Sequence, residues 1–271
     1  MTQLNQTMRK LHRQGIPFAF VTIKEGSGSM PRHKGSKMIV MDDGTIAGSI
    51  GGGQLEADAI RWAATALHDK TDRDYRFALD NEHAAESEMI CGGSGVISVQ
   101  YIDADQEITP LLDACNTGTM YLFGGGHVSL ALAQAAKIAD IPTVVLDDRE
   151  EYANTNRFPD TACIVLDSFS SIPALPVTQK DMLVIVTRGH LGDADVLRWA
   201  LQQNAGYIGM IGSKRKRDML YNMMRQEGMS EERLAQVHSP IGLPIGAETP
   251  GEIAISIMAE IIRVRAKGDV K

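Results

Sequence analysis

The residues best placed to do chemistry in this sequence are two glycine triplets, a cysteine followed by glycines and a run of four cations. A turn that holds a dinucleotide needs a preceding strand and a first glycine for the tight bend. It also needs a second glycine where the backbone meets pyrophosphate, a small residue where helix meets strand, and an acid ending the next strand. In LFGGGHVSLAL, MYLF leads into Gly124, Gly126 takes the second place and Ser129 is a small substitute for the third glycine. Asp147, 23 positions beyond Gly124, ends the next apolar run with Asp148 beside it. These positions predict a helix starting at His127 that points its positive end at phosphates. Asp147 is then the expected partner of a ribose hydroxyl, and Asp147→Ala is expected to weaken nucleotide binding alone.

The other triplet, in SIGGGQLEADA, fails the same test. Glu56 stands in the third position, where bulk and negative charge oppose close packing and phosphate, and the preceding strand belongs to a hairpin. Three successive glycines lose much backbone entropy on folding and often let a ligand come close. Gly51, Gly52, Gly53 and Gln54 therefore either line a site for a non-nucleotide ligand or only turn the chain. Cys91 precedes two glycines in MICGGSG, so its thiol is the candidate reactive group, on a turn whose amides favour a thiolate; a structural cysteine is the plainer alternative. Lys214, Arg215, Lys216 and Arg217 follow GMIGS. If Ser213 caps a helix, they crowd cations against its positive end, so either nearby acids neutralise them or the site receives an anion. His190 and Asp193, in TRGHLGD, fall on a strand-to-helix loop, the crevice side of a parallel sheet. No group of residues has a strong metal signature.

Two kinds of element must carry these groups. Leu4, Met8 and Leu11 form one apolar stripe over residues 2–14, ended by Gly15 and Pro17. PFAFVTI reads as a strand, and Asp43-Gly44 between apolar runs marks a hairpin. Leu55, Ala59, Trp62, Ala63 and Ala66 predict a helix, and YRFALD and VISVQYI a further pair of strands. The first hundred residues thus read as an α+β unit. From Met120 strands apolar on both faces alternate with helices, which specifies a parallel sheet covered on both sides. The expected domains are 1–105 and 119–271, the second Rossmann-type, with the boundary between about residues 104 and 119. Thr249, Pro250 and Glu252 form a capping box for a last helix whose Ile253, Ile257, Ile261 and Val264 make a buried stripe.

With 271 residues and 44% hydrophobic content the chain can bury a large core without staples. Its three cysteines form no even framework, which points to a reducing, cytoplasmic setting. A net charge of −7 argues against a general nucleic-acid binder. No apolar run reaches the length of a membrane span, and the N-terminus has no signal-peptide core.

Taken together, GSMPRHKGSKMIV, DDGTIAGSIGGGQLE, CGGSG, LFGGGHVSLALA, VVLDDREEYAN, YIGMIGSKRKR and PIGLPIGAETPGEIAISIMAEI resemble the xanthine dehydrogenase accessory factor family, XdhC/CoxI, over nearly the whole chain. The resemblance implies a maturation factor for a molybdenum hydroxylase. Such a factor would bind the molybdenum-pterin cofactor, support its sulfuration with a cysteine desulfurase, insert it into the apo molybdenum hydroxylase, and act as a homodimer. Many relatives have cysteine where this chain has Gln54, so the thiol role falls to Cys91. Relatives also often read Thr-His at Thr187-Arg188, and whether His190 substitutes is open. An anionic pterin phosphate suits the Gly124 turn and the cations from Lys214. The residue-based rival is an NAD(P)-dependent oxidoreductase using the Gly124 turn; a third reading is a nucleotide-sensing module without chemistry.

Overall fold

The computed structural model describes residues 2–28, 32, 34–78 and 93–268. The chain divides into two compact units, Met1–Asn116 and Thr117–Lys271. In the N-terminal unit the order is α1 (Gln3–Arg13), β1 (Phe18–Gly28), β2 (Lys37–Val40), β3 (Ile46–Gly48), α2 (Gly53–Asp69), β4 (Arg73–Ala78), β5 (Gly93–Ile102) and α3 (Thr109–Ala114). The five strands form one antiparallel sheet in the order β3-β2-β1-β5-β4.

Period-two alternation sends successive side chains of this sheet into two cores. Phe18 and Phe20 of β1, Ile39 of β2 and Ile102 of β5 face one side with Met8 and Leu11 of α1. Ala19, Val21, Ile23, Met38, Val40, Ile97 and Val99 face the other, against Leu55, Ala59, Ala63 and Ala66 of α2. Each large side chain so buried contributes roughly 1.5–3 kcal/mol, which is why the amphipathic stripes of α1 and α2 dock here. The hairpin between β2 and β3 turns at Asp43-Gly44, where the Asp43 carboxylate accepts from the amide and hydroxyl of Thr45. Trp62 is not in the buried stripe of α2; it stacks on Tyr75 of β4 at 4.5 Å. The stretch read as joining two domains holds α3, whose Leu112 packs with Met8 and Phe18. With only one turn and a half, α3 is too short for periodicity to register.

The C-terminal unit runs β6 (Met120–Phe123), α4 (His127–Ile138), β7 (Thr143–Asp147), β8 (Ala162–Val165), β9 (Met182–Ile185), α5 (His190–Ala200), β10 (Tyr207–Met210), α6 (Lys214–Gln226), α7 (Glu231–Leu234), β11 (Val237–His238) and α8 (Pro250–Gly268). All six strands are parallel, ordered β8-β7-β6-β9-β10-β11. This is the doubly wound Rossmann order, in which the chain leaves β6 in opposite directions along the sheet and opens a crevice at the strand ends. One face buries Tyr121, Phe123, Leu183, Ile185, Ile208 and Met210 under α5 and α6. The other buries Met120, Leu122, Val145, Met182 and Val184 under α4 and α8. The links β7–β8 and β8–β9 have no helix and cover the sheet with inserted side chains, Phe158 from the first and Leu166, Phe169, Ile172, Leu175 and Val177 from the second.

The capping box of α8 forms as the sequence requires. Thr249 Oγ1 accepts from the Glu252 amide at 3.3 Å, and Glu252 Oε2 accepts from the Thr249 amide at 2.9 Å. Ile257 and Ile261 are fully buried, with Ile253 and Val264 packed at the margin. No helix among the described residues is long and apolar enough to cross a membrane.

Candidate functional site

The carboxyl edge of the parallel sheet gathers the loops after β6, β7, β9 and β10. Gly124 sits at φ +110°, and a Cβ there would lie 2.4 Å from the carbonyl oxygen of Val186, so only glycine lets β6 turn against the end of β9. A Cβ on Gly125 would lie 2.1 Å from the Tyr152 carbonyl oxygen. Gly126 differs, because a Cβ there would meet nothing within 4 Å. Its absence of a side chain answers no protein neighbour and leaves the backbone open to approach from outside. Ser129, fully buried, donates its hydroxyl to the Gly124 carbonyl and closes the turn.

Asp147 is placed otherwise than the sequence suggests. It is fully buried, with Oδ2 accepting from the Gly125 amide at 2.7 Å and from Arg149 Nη2 at 3.0 Å. Its Oδ1 accepts from the Arg149 amide and Nε at 3.0 and 2.9 Å. Burial pushes this carboxyl upward, but the Arg149 guanidinium and the Gly125 amide outweigh it and hold it below the ordinary aspartate range. Both oxygens are therefore spent inside the protein, and Asp147 positions the turn in place of a ribose hydroxyl partner. The expectation that its loss affects binding alone is corrected: it must affect folding too.

Asp148 is the neighbouring acid with capacity to spare. Its Oδ2 accepts from Arg188 Nη2 at 3.0 Å, while its Oδ1 is buried without a hydrogen-bond partner among the described residues. Arg149 and Arg157 both lie over the Tyr152 ring, at 3.6 and 5.0 Å. Arg157 Nε donates to the Gly125 carbonyl at 2.9 Å, and its Nη2 is buried and unpartnered among the described residues. Composition and spacing gave no signal for Arg149, Arg157 or Arg188; only an arginine-rich environment around an anion-type turn could have suggested them.

The next loop is tied by Asp193, also fully buried in the first turn of α5. It accepts from the Thr187 amide at 3.1 Å, the Thr187 hydroxyl at 2.7 Å, and Lys216 Nζ of α6. Lys216 is thereby neutralised, and Arg217 pairs with Asp218 at 2.6 Å and donates to the Ser239 carbonyl. Lys214 and Arg215 are exposed, with no partner among the described residues. The four cations thus divide: two serve the fold and two are free. His127 and His190 are both exposed at helix starts, and Ser213 caps α6 by accepting from the Lys216 amide.

The helices on either side of the crevice share one feature. Those starting at Thr2, Ser213 and Ser230 have hydroxyl caps. By contrast α4 and α5 start from Gly126 and Gly189 with no side-chain cap, and a Cβ on Gly189 would also meet nothing within 4 Å. First-turn N–H groups left without a cap carry the positive end of the helix dipole and accept an anion.

At the other triplet the amides are already taken. Glu56 Oε2 accepts from Ser49 Oγ at 2.7 Å and from the Ile50 and Gly52 amides at 3.1 and 3.3 Å. The side chain whose charge argues against phosphate is itself the anion of this turn. Gly51, Gly52 and Gly53 have φ of 127°, 75° and 62°, so the left-handed path alone accounts for three glycines. Gln54 donates to Asp58 at 2.9 Å along its own helix. Burial raises the Glu56 carboxyl, but the Ser49 hydroxyl and the Ile50, Gly52 and Gly51 amides bring it below its ordinary value of 4.5. Its stabilisation is present above that ordinary value and lost as pH falls through the lower folded one. Glu56→Gln is expected to cost about 1–2 kcal/mol near neutral pH. The wild-type advantage in urea midpoint should shrink as pH falls through and below that ordinary value, since both side chains are then uncharged. An advantage unchanged across that range would show that the carboxylate does not hold the turn.

Cys91 lies outside the described residues. Burial pushes the Cys115 thiol up to about 11 and raises that of Cys163 as well, so neither is a ready thiolate. Among the described residues no group of three or more His, Cys, Asp or Glu side chains is gathered to hold a metal.

A six-stranded parallel sheet in Rossmann order with a glycine turn at its switch point, joined to an α+β unit, defines a two-part Rossmann-type protein. Residues 120–261 match the XdhC Rossmann domain and residues 11–78 match the XdhC and CoxI family, and the chain belongs to that family. It is 34% identical over 94% of its length to Uncharacterized protein YqeB of Escherichia coli (strain K12), covering 45% of that protein. It is 30% identical over 55% of its length to a protein of Bacillus subtilis (strain 168) named as a probable xanthine dehydrogenase subunit, covering 43% of it. The chain thus spans less than half the length of these two relatives. It is 23% identical over 90% of its length to the Molybdenum cofactor insertion chaperone PaoD of Escherichia coli (strain K12), covering 82% of it. A crystal structure described as a xanthine dehydrogenase from Bacillus halodurans shares the fold, with a TM-score of 0.78 at 21% identity over 98% of this chain and 96% of that one.

Proposed function

We propose that this chain is a maturation factor that holds the molybdenum-pterin cofactor and inserts it into an apo molybdenum hydroxylase. The observation that carries the reading is the pair of uncapped helix starts, α4 and α5, at the switch point, with open backbone at Gly126 and Gly189. The cofactor's phosphate is the anion they would take. Lys214 and Arg215 stand at the same sheet edge, two strands from β6 and so roughly 10 Å away, suited to a ligand longer than one phosphate. The relatives named for xanthine dehydrogenase and for cofactor insertion point to the same cargo.

In this reading Gly124, Gly126, His127 and Asp148 form the phosphate end of the site, with Asp147 as its scaffold. Gly51, Gly52, Gly53 and Gln54 serve chain geometry. Cys91 is the thiol for sulfur handling with a cysteine desulfurase, since the two described cysteines are held neutral by burial. Ile255 and Ile262, exposed one heptad apart on α8, are apolar surface for a homodimer.

Mass spectrometry of ligands released from freshly purified full-length protein tests the proposal, with pterin as the expected species. Lys214→Glu with Arg215→Glu should weaken cofactor retention about tenfold, as expected for two charges reversed at a helix start, and Cys91→Ala should lose maturation of a target hydroxylase in a deletion strain. Released nicotinamide, together with turnover of NAD(P), would favour the oxidoreductase alternative instead.

A further inference from the structure

We infer that the outer end of the N-terminal sheet is a recognition site for a 2-amino-4-oxopyrimidine ring, the ring shared by pterins and guanine, held between Glu25 of β1 and Arg76 of β4. Pterin as a source of that ring rests on the cargo reading above; guanine does not.

A bulge in β1 between Ile23 and Glu25 shifts its register against β5 by one residue. Without it Lys24 would stand opposite Val96, and Glu25 opposite Gly95. With it Glu25 is opposite Val96, which on its other side is opposite Arg76 of β4. Directly opposed residues share a face of the sheet, so the extra residue brings an acid, in place of a lysine, into line with Arg76. Bulges re-aim side chains in this way and are over-represented beside active sites. Gly95 lets the bulge close, because a Cβ there would lie 2.2 Å from the Glu25 carbonyl oxygen.

Glu25 and Arg76 are exposed, and neither has a partner among the described residues. Distance does not explain this. Lys24 of β1 reaches Asp74 of β4 across the same intervening strand, with its Nζ 3.0 and 2.9 Å from the two carboxylate oxygens. Between Glu25 and Arg76 lies a cavity of about 490 Å³ that Ser27, Ser94 and Val96 also line. Its two charged walls stand two strands, roughly 10 Å, apart. The serine hydroxyls bond each other at 3.1 Å, which leaves the walls as the polar groups a ligand must meet.

A carboxylate only accepts and a guanidinium only donates. The ligand must therefore offer donors on one edge and acceptors on another, with a body wide and flat enough to lie on a sheet face. An amino acid fails, because its two charged groups sit on one carbon and cannot span the walls. A 2-amino-4-oxopyrimidine fused to a second ring meets both demands. Its ring N–H and amino group donate together to one carboxylate, while its carbonyl oxygen and the neighbouring nitrogen of the fused ring accept together from one guanidinium.

Calorimetry on the full-length chain can test this with pterin and guanosine and with their counterparts lacking the 2-amino group, 4-oxopteridine and inosine. The wild type should bind pterin or guanosine, the tighter of the two naming the source, and should bind its counterpart about tenfold or more weakly, since a bond to a charged acceptor is lost. Glu25→Ala should bring that ratio within about twofold. Arg76→Gln should weaken both members of the pair alike and keep the ratio, because both carry the 4-oxo group. Both side chains are exposed, so the variants should melt like the wild type. Binding of neither ring, binding with no preference for the 2-amino group, or a preference that survives Glu25→Ala overturns the site. Pterin released equally from purified wild type and Glu25→Ala overturns the site and leaves the cargo reading standing. Guanosine bound with the expected preference while no pterin is released leaves the site standing and overturns the cargo reading.

Discussion

Asp147→Ala should destabilise the C-terminal unit by about 2–4 kcal/mol, the range for removing one partner of a buried ion pair, reduced here because Arg149 keeps some access to water. The deletion acts at three points. The Gly125 amide loses its acceptor at the centre of the turn, the Arg149 guanidinium loses both of its hydrogen bonds, and β7 is no longer stitched to the loop after β6. Asp147→Asn should cost less, because one carboxamide oxygen can still accept from Gly125 while the charge that balances Arg149 is gone. The carboxyl is held below its ordinary value, so its stabilisation is complete above that value and disappears as pH falls through the lower folded one. Urea unfolding of both variants at neutral pH and again well below the ordinary aspartate range measures this. Alanine unfolding at the wild-type midpoint would mean that the carboxylate is dispensable to the turn.

Gly124→Ala should be at least as damaging, at about 3–5 kcal/mol from backbone strain and overpacking together. The backbone there has φ +110°, outside the range that L residues adopt readily, and the new Cβ would lie 2.4 Å from the Val186 oxygen and 2.9 Å from the Thr187 Cα. Those neighbours are backbone and cannot swing aside. Their displacement would also disturb Thr187, whose hydroxyl and amide tie the start of α5 to Asp193. Gly126→Ala is the matched control, because its Cβ meets no protein atom and its φ of −69° suits any residue. It should melt like the wild type but bind phosphate ligands more weakly. Thermal unfolding and pyrophosphate binding of the two variants side by side separate a glycine needed by the fold from one left open for a ligand.

Much of the architecture is written in local pattern. The strand at PFAFVTI and the stripes of Leu4, Met8 and Leu11 and of Leu55, Ala59, Ala63 and Ala66 marked an α+β unit, and the structure places those stripes on opposite faces of its sheet. The capping box at Thr249 and Glu252, the Asp43-Gly44 hairpin and the strand before Gly124 each depend on residues a few positions apart. Short elements escaped for the same reason: α3 and the two-residue β11 are stabilised by what they pack against, and too short to carry a period.

Local pattern alone was thus enough to specify a Rossmann-type unit after an α+β unit, with Gly124 to Ser129 as its strand-to-helix turn. Which charges are free to meet a ligand emerged only from the folded chain. Asp147 finds Gly125 across 22 positions, Lys216 finds Asp193 across 23, and Arg188 finds Asp148 across 40. Adjacent acids and adjacent cations look alike in sequence. Pairing at such separations is set by the order of the strands in the sheet, so Asp147 became scaffold and Asp148 kept an open oxygen, while Lys214 and Arg215 stayed unpaired as Lys216 and Arg217 closed on their own acids.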